Sequence, residues 1–151
     1  MSHSYVSALF HCVFSTKERR PLITPDLETR LWPYMCGIAR EQQMKIVEIG
    51  GTKDHIHFLL SLPATISLSK ALQTVKGCSS KWVHDTFLGE HRGFAWQEGY
   101  GAFSIGISQT ETTLKYIRNQ KTHHAKVSFE DEFKKILERH WITYDEKYIF
   151  G

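Results

Sequence analysis

The stretch from Tyr5 to Thr16, YVSALFHCVFST, alternates with a period of two and places Val6, Ala8, Phe10, Cys12 and Phe14 on one face. Rich in β-branched and aromatic residues, it reads as a strand, and a strand with one apolar face must bury that face under another layer. The next residues, KERRPLITP, break the pattern with charge and two prolines. Thr24, Pro25 and Asp26 then supply helix-start chemistry: a side-chain oxygen for unpaired amides, and a ring lacking an amide where none is needed. The helix should run to about Met44, with Leu27, Leu31, Met35, Ile38 and Ala39 at helical spacing. Pro33 falls inside it, so a kink or a later start is expected.

The segment KIVEIGGTKDHIHFLLSLP reads as two strands joined by a glycine turn at Gly50 to Lys53 and closed by Pro63. A second helix fits Ser67 to about Phe87, striped by Leu68, Leu72, Val75 and Trp82, with Gly89 just past its end. FAWQEGYGAFSIG reads as a further short strand pair turning near Gly99 to Gly101. Helices from about Thr110 to His124 and from Glu130 to Arg139 complete the chain. That order, β-α-β-β-α-β followed by helices, predicts an α+β, ferredoxin-like (RRM-like) sandwich with an antiparallel sheet. Its helices would cover one face and leave the other open for a site. A chain of 151 residues suits one domain over 1–151.

Nineteen Lys and Arg against sixteen Asp and Glu permit a polyanionic partner without demanding one. No run of about 18 apolar residues could span a bilayer, and no signal peptide is evident, so a cytoplasmic protein without membrane partners is expected. Cys12, Cys36 and Cys78 are odd in number, widely spaced and flanked by apolar residues, which predicts buried free thiols. The nine histidines matter more for where they sit.

In Asp54-His55-Ile56-His57-Phe58-Leu59-Leu60, the strand period sends His55 and His57 to one face as a pair of convergent imidazoles. A rigid strand positions such metal ligands better than a loop. In TLKYIRNQKTHH, Tyr116 and Gln120 are four residues apart and so neighbours on one helical face, which His123 and His124 continue. Together these suggest His55 and His57 as nitrogen ligands, Gln120 as an oxygen ligand and Tyr116 as a nucleophile beside the metal. Such a set holds no anionic protein ligand, so a phosphodiester would supply the missing negative charge. Proximity to a cation favours phenolate, and in-line attack would leave a phosphotyrosine link.

The ordered set DHIHFLL, WQEGYGAFSIG and YIRNQKTHH resembles the single-tyrosine transposases of the HUH superfamily (histidine-hydrophobic-histidine), more narrowly their insertion-sequence-200-like and REP-associated group. By position, His55 and His57 match that family's metal-binding histidines, Tyr116 its nucleophile and Gln120 its third ligand, which makes the helix bearing them the catalytic one. The resemblance implies cleavage and rejoining of single-stranded DNA near hairpins through a 5′-phosphotyrosine, with no small-molecule substrate. It also implies magnesium or manganese as cofactor and a homodimer in which this helix could complete the partner's site.

Candidate DNA contacts are Lys76, Ser79, Ser80 and Lys81 on the second helix, Arg19 and Arg20 after the first strand, and Arg118 beside the site. Trp82, Trp96 and Tyr100 could stack on bases, although core packing suits the tryptophans better. A domesticated nuclease acting on repeated hairpins would carry the same residues. A noncatalytic single-strand binder would instead show stacking aromatics on the open face.

Overall fold

A computed structural model describes residues 3–150 and shows the α+β architecture the element order predicts. Strands β1 (Leu9–Ser15), β2 (Lys45–Gly51), β3 (His55–Ser61) and β4 (Gly101–Ile105) form one antiparallel sheet in the order β2-β3-β1-β4. The central pair is β1 with β3, in a register that sets Val13 opposite His57 and Ser15 opposite His55. A central strand has both edges hydrogen-bonded, so β3 holds its side chains rigidly.

On one face, Cys12, Phe14, Ile56, Phe58 and Leu60 meet α1 (Pro25–Glu41) through Leu27, Leu31 and Met35. The same core takes Ala71, Leu72 and Val75 from α2 (Leu68–Thr86). Both helices begin on side-chain caps, with Thr24 Oγ1 accepting from the Leu27 amide and Ser67 Oγ from the Lys70 amide. Pro25 is the first residue of α1, and Pro33 lies within a helix that continues to Glu41, so the start is not delayed.

The opposite face is not open as expected. Leu114 and Ile117 of α3 (Thr110–Arg118) pack on Leu59, while Phe129, Phe133, Ile136 and Leu137 of α5 (Phe129–Arg139) pack on Val13 and Phe103. The sheet is therefore layered between two sets of helices, and His55 and His57 are fully buried.

The predicted third helix divides. Asn119, at φ −95° and ψ 19°, ends α3, and the single turn α4 (Gln120–His123) follows. Asparagine favours such non-helical backbone because its side chain competes for backbone hydrogen bonds. Of the expected strand pair over residues 94–106, only β4 forms, and Trp96 makes just an isolated bridge with Thr16. Residues 95–97 instead meet the end of β1, where the Gln97 amide donates to the Ser15 carbonyl, the Lys17 amide donates to the Ala95 carbonyl and Gln97 Oε1 accepts from the Ser15 amide at 2.7 Å, while Lys76 Nζ donates to the carbonyls of Glu98 and Gly99. The buried-thiol expectation holds for Cys12, whereas Cys36 is half-buried and Cys78 is exposed; all three are free. Among the described residues, no helix is long and apolar enough to cross a membrane.

Gly50 sets how closely α3 approaches the sheet. A Cβ there would lie 2.2 Å from the carbonyl oxygen of Ile117, so α3 rests directly on the backbone of β2. Gly50 also pairs with His57 across β2 and β3, so this contact fixes α3 relative to the histidines.

Candidate active site

Period-two geometry on β3 brings the rings of His55 and His57 to a 5.2 Å centroid separation. His55 donates its Nδ1 hydrogen to Asp54 Oδ1 at 2.8 Å, and Thr52 Oγ1 donates to the same carboxylate oxygen at 3.0 Å. That leaves His55 Nε2 with its lone pair aimed at Gln120 Oε1, 3.0 Å away. The amide orientation is fixed because Gln120 Nε2 faces two acceptors, the Tyr116 carbonyl and Glu132 Oε2, each at 3.3 Å. Two lone pairs so aligned repel unless positive charge sits between them, and a metal cation held by both atoms meets that need. A carboxylate behind a ligating imidazole, as Asp54 stands behind His55, is the usual support for such a ligand.

Tyr116, His55, His57 and Gln120 thus converge, and they do so within one chain. A fifth group changes the electrostatics: Glu132, buried at 3% exposure, enters the cluster from α5. Its Oε1 accepts from His57 Nε2 at 2.9 Å and His124 Nε2 at 3.0 Å, and its Oε2 accepts from the Tyr116 hydroxyl. The expectation of a site without an anionic protein ligand is therefore corrected. His55, His57, His124 and Glu132 each offer a ligand atom within 4.8 Å of the others. Nitrogen and carboxylate donors of this kind suit divalent first-row metals, and the amide and carboxylate oxygens suit magnesium or manganese.

Behind His57, His11 of β1 places its Nε2 2.8 Å from His57 Nδ1. With the His57 Nε2 hydrogen directed to Glu132, His57 Nδ1 accepts from His11, giving a relay from His11 through His57 to Glu132. Burial, reinforced by His57, pushes His11 down to about 3. Burial also pushes His57 down to about 4, against the opposing pull of Glu132. For Glu132 burial opposes ionisation, but hydrogen bonds from His124 and His57 outweigh it and hold the carboxyl well below its usual range. Burial and then the Glu132 charge raise the Tyr116 phenol above its ordinary value.

Periodicity does carry a signal for Glu132, since Phe129, Glu132, Phe133 and Ile136 share one helical face and place a carboxylate within an apolar stripe. His11 falls on the strand face opposite Phe10, Cys12 and Phe14, the side that His55 and His57 share.

The candidate DNA contacts scatter. Lys76 is half-buried and spends its ammonium on two carbonyls; Ser79 is buried, donating to the Lys76 carbonyl and accepting from Trp96 Nε1. Ser80 is half-buried, and Lys81 is exposed and paired with Asp85. All four lie on α2, across the sheet from the histidines. Arg19 pairs with Glu130, Arg118 with Glu48 at 2.7 Å, and Arg20 is exposed. Trp96 packs edge-on against Phe14 and Phe94 in the core, Trp82 stacks on Tyr34, and Tyr100 is partly exposed.

Residues 4–120 match a family model described as "Transposase IS200 like". The transposases for insertion sequence element IS200 of Salmonella typhimurium (strain LT2) and Salmonella typhi are each 27% identical over 125 residues, spanning 80% of this chain and 81% of theirs. A crystal structure of a candidate transposase from Deinococcus radiodurans R1 has the same fold at a TM-score of 0.62 and 20% identity, covering 80% of this chain and 96% of that one. So does a REP-associated tyrosine transposase bound to a REP hairpin, at a TM-score of 0.61 and 16% identity, covering 84% and 74%. Glu132 and the rest of α5 lie beyond the matched segment.

Proposed function

This chain belongs to the IS200-like transposase family, and from that premise we propose that it cleaves and rejoins hairpin-bearing single-stranded DNA, with Tyr116 as nucleophile. The carrying observation is that the Tyr116 hydroxyl, His55, His57 and Gln120 meet at one buried point beside an ionised carboxylate. His55, His57 and Gln120 would hold magnesium or manganese, with Glu132 as the anionic member of the set, once His57 Nε2 gives up the hydrogen it directs at Glu132. When bound, the cation supplies Lewis-acid polarisation of a phosphoryl oxygen. The hairpin part of the reading is supported by the REP-associated relative, which was captured on one.

In the reaction, Tyr116 Oη attacks the phosphorus, so an Oη–P bond forms as the P–O3′ bond breaks. The Glu132 carboxylate orients the phenol by accepting its hydrogen bond until attack, the phenol proton leaves to solvent, and the departing 3′-oxygen takes a proton from solvent. A 5′-phosphotyrosine and a free 3′-hydroxyl result. Attack by a 3′-hydroxyl on that link reverses the step and joins strands without ATP. Asp54 and Thr52 orient His55, and His11 orients His57.

On this reading one chain would supply both nucleophile and ligands, so the homodimer implied by the resemblance would pair two complete sites. Light scattering at micromolar concentration should return twice the chain mass. The chemical test mixes protein, manganese and a labelled hairpin oligonucleotide. A covalent adduct should form and should vanish in Tyr116→Phe; an adduct retained by that variant removes Tyr116 from the role. His57→Ala should stop cleavage while leaving most DNA binding, because phosphate contacts and chemistry are separate contributions.

A further inference from the structure

A cavity of about 420 Å³ opens beside Tyr116, on a side of the ring that the metal cluster does not use. Its walls come from β4, from the 3-10 turn Ile107–Gln109, from α3 and from the end of α5, and its size falls in the roughly 300–1,000 Å³ range of ligand pockets. Ser104, Ser108, Gln109 and Thr112 line the rim as exposed neutral donors, and Ile105 and Ile136 form an apolar part of the wall. Among the described residues, no carboxylate lines it. Its permanent cation is Arg139, which is exposed and makes no ion pair among the described residues.

A second cavity, of about 470 Å³, reaches the cluster from the side of His124 and differs in charge. Glu28, Asp54 and Glu130 line it, and two of its cations are already neutralised, Arg19 by Glu130 and Lys121 by Glu28. Lys53 also lines that cavity, so its carboxylates and permanent cations balance, whereas Arg139 leaves the first cavity positive for a polyanionic strand, and Tyr116 lines only the first.

Resting on the reading of Tyr116 as nucleophile, we infer that the cavity between α3, β4 and the end of α5 is the subsite for the nucleotide on the 3′ side of the cut, the one left joined to Tyr116 through its 5′-phosphate. Arg139 contacts the next phosphate along. The hydroxyls and amide at the rim bond the sugar and base edge, and Ile105 and Ile136 pack on the base.

Equilibrium binding tests the subsite without any chemistry. The probes are four 3′-fluorescein-labelled trinucleotides carrying a 5′-phosphate, p(dA)3, p(dC)3, p(dG)3 and p(dT)3, titrated with full-length protein in EDTA and followed by anisotropy. At least one should bind. Arg139→Ala should weaken it about tenfold and reduce the slope of log K against log salt by about 1, the signature of one lost phosphate contact. Thr112→Trp, which fills the mouth from an exposed position, should weaken it as much, whereas Lys121→Ala in the second cavity should leave it unchanged. Binding of none of the four, an unaltered salt slope in Arg139→Ala, or equal losses in Lys121→Ala and Arg139→Ala each overturns the assignment. A covalent adduct that forms normally alongside any of those results leaves the nucleophile reading intact, and loss of that adduct in the wild type is what removes it.

Discussion

Gly50→Ala offers a test of how the fold sets the chemistry from a residue that touches none of it. The added Cβ would lie 2.2 Å from the Ile117 carbonyl oxygen, more than about 1 Å inside the roughly 3.5 Å of ordinary contact. Neither partner can give way locally, because both are backbone, one in a paired strand and one in a helix. The whole of α3 must therefore withdraw, and Tyr116 is the residue next to Ile117. Overpacking of this kind costs about 1–3 kcal/mol of stability, which should leave the protein folded at 25 °C. A displacement near 1 Å at a reacting group costs on the order of 100-fold in rate. Single-turnover adduct formation with a hairpin oligonucleotide, beside urea denaturation of the same variant, separates the two effects. Cleavage within about threefold of wild type would refute the idea that this contact positions the nucleophile.

Glu132→Gln should destabilise the metal-free protein by about 2–4 kcal/mol in urea melts. Four hydrogens converge on the carboxylate, and an amide leaves about two without acceptors at roughly 1–3 kcal/mol each, less the relief of burying a neutral group. A variant as stable as wild type would contradict this. Acid should act through His11 and His57, whose folded values near 3 and 4 lie below the unfolded 6.5. The unfolded chain takes these protons first, so the stability they contribute is complete above about pH 6.5 and is lost as pH falls towards 4. Unfolding free energy should drop by about 2 kcal/mol between pH 6 and 5, and a flat profile would count against it. Asp54→Ala removes the acceptor that orients His55, so manganese affinity by calorimetry should fall roughly 10- to 100-fold; an unchanged affinity would deny the support role.

Much of this was legible in the sequence because alternation and helical spacing report directly on which side chains share a face. His55 and His57 follow from a period of two, and the caps at Thr24 and Ser67 from residue chemistry at helix starts. What stayed hidden depends on long-range packing. A polar residue inside an apolar helical stripe, such as Glu132, can be read from one segment, but its destination beside Tyr116 requires knowing that α5 folds back over β1 and β4. The missing strand at residues 94–98 has the same origin: apolar alternation permits pairing, but Ala95 and Gln97 pair with the backbone just at and past the end of β1 and Lys76 takes the Glu98 carbonyl. Lysine and serine on α2 looked like phosphate contacts because charge is visible in a sequence and the side of the sheet it lands on is not.

The interruption at Asn119 changes what kind of object carries the chemistry. A continuous helix through Tyr116 and Gln120 would be one lever, delivering nucleophile and ligand or withdrawing both. Instead there are two short arms meeting at a joint, the first anchored on the bare backbone at Gly50 and the second tied through Gln120 to Glu132 and His55. Each arm has its own anchor, so substitutions on β2 act first on the aim of the tyrosine, whereas a substitution at Glu132 on α5 reaches the phenol and the amide together.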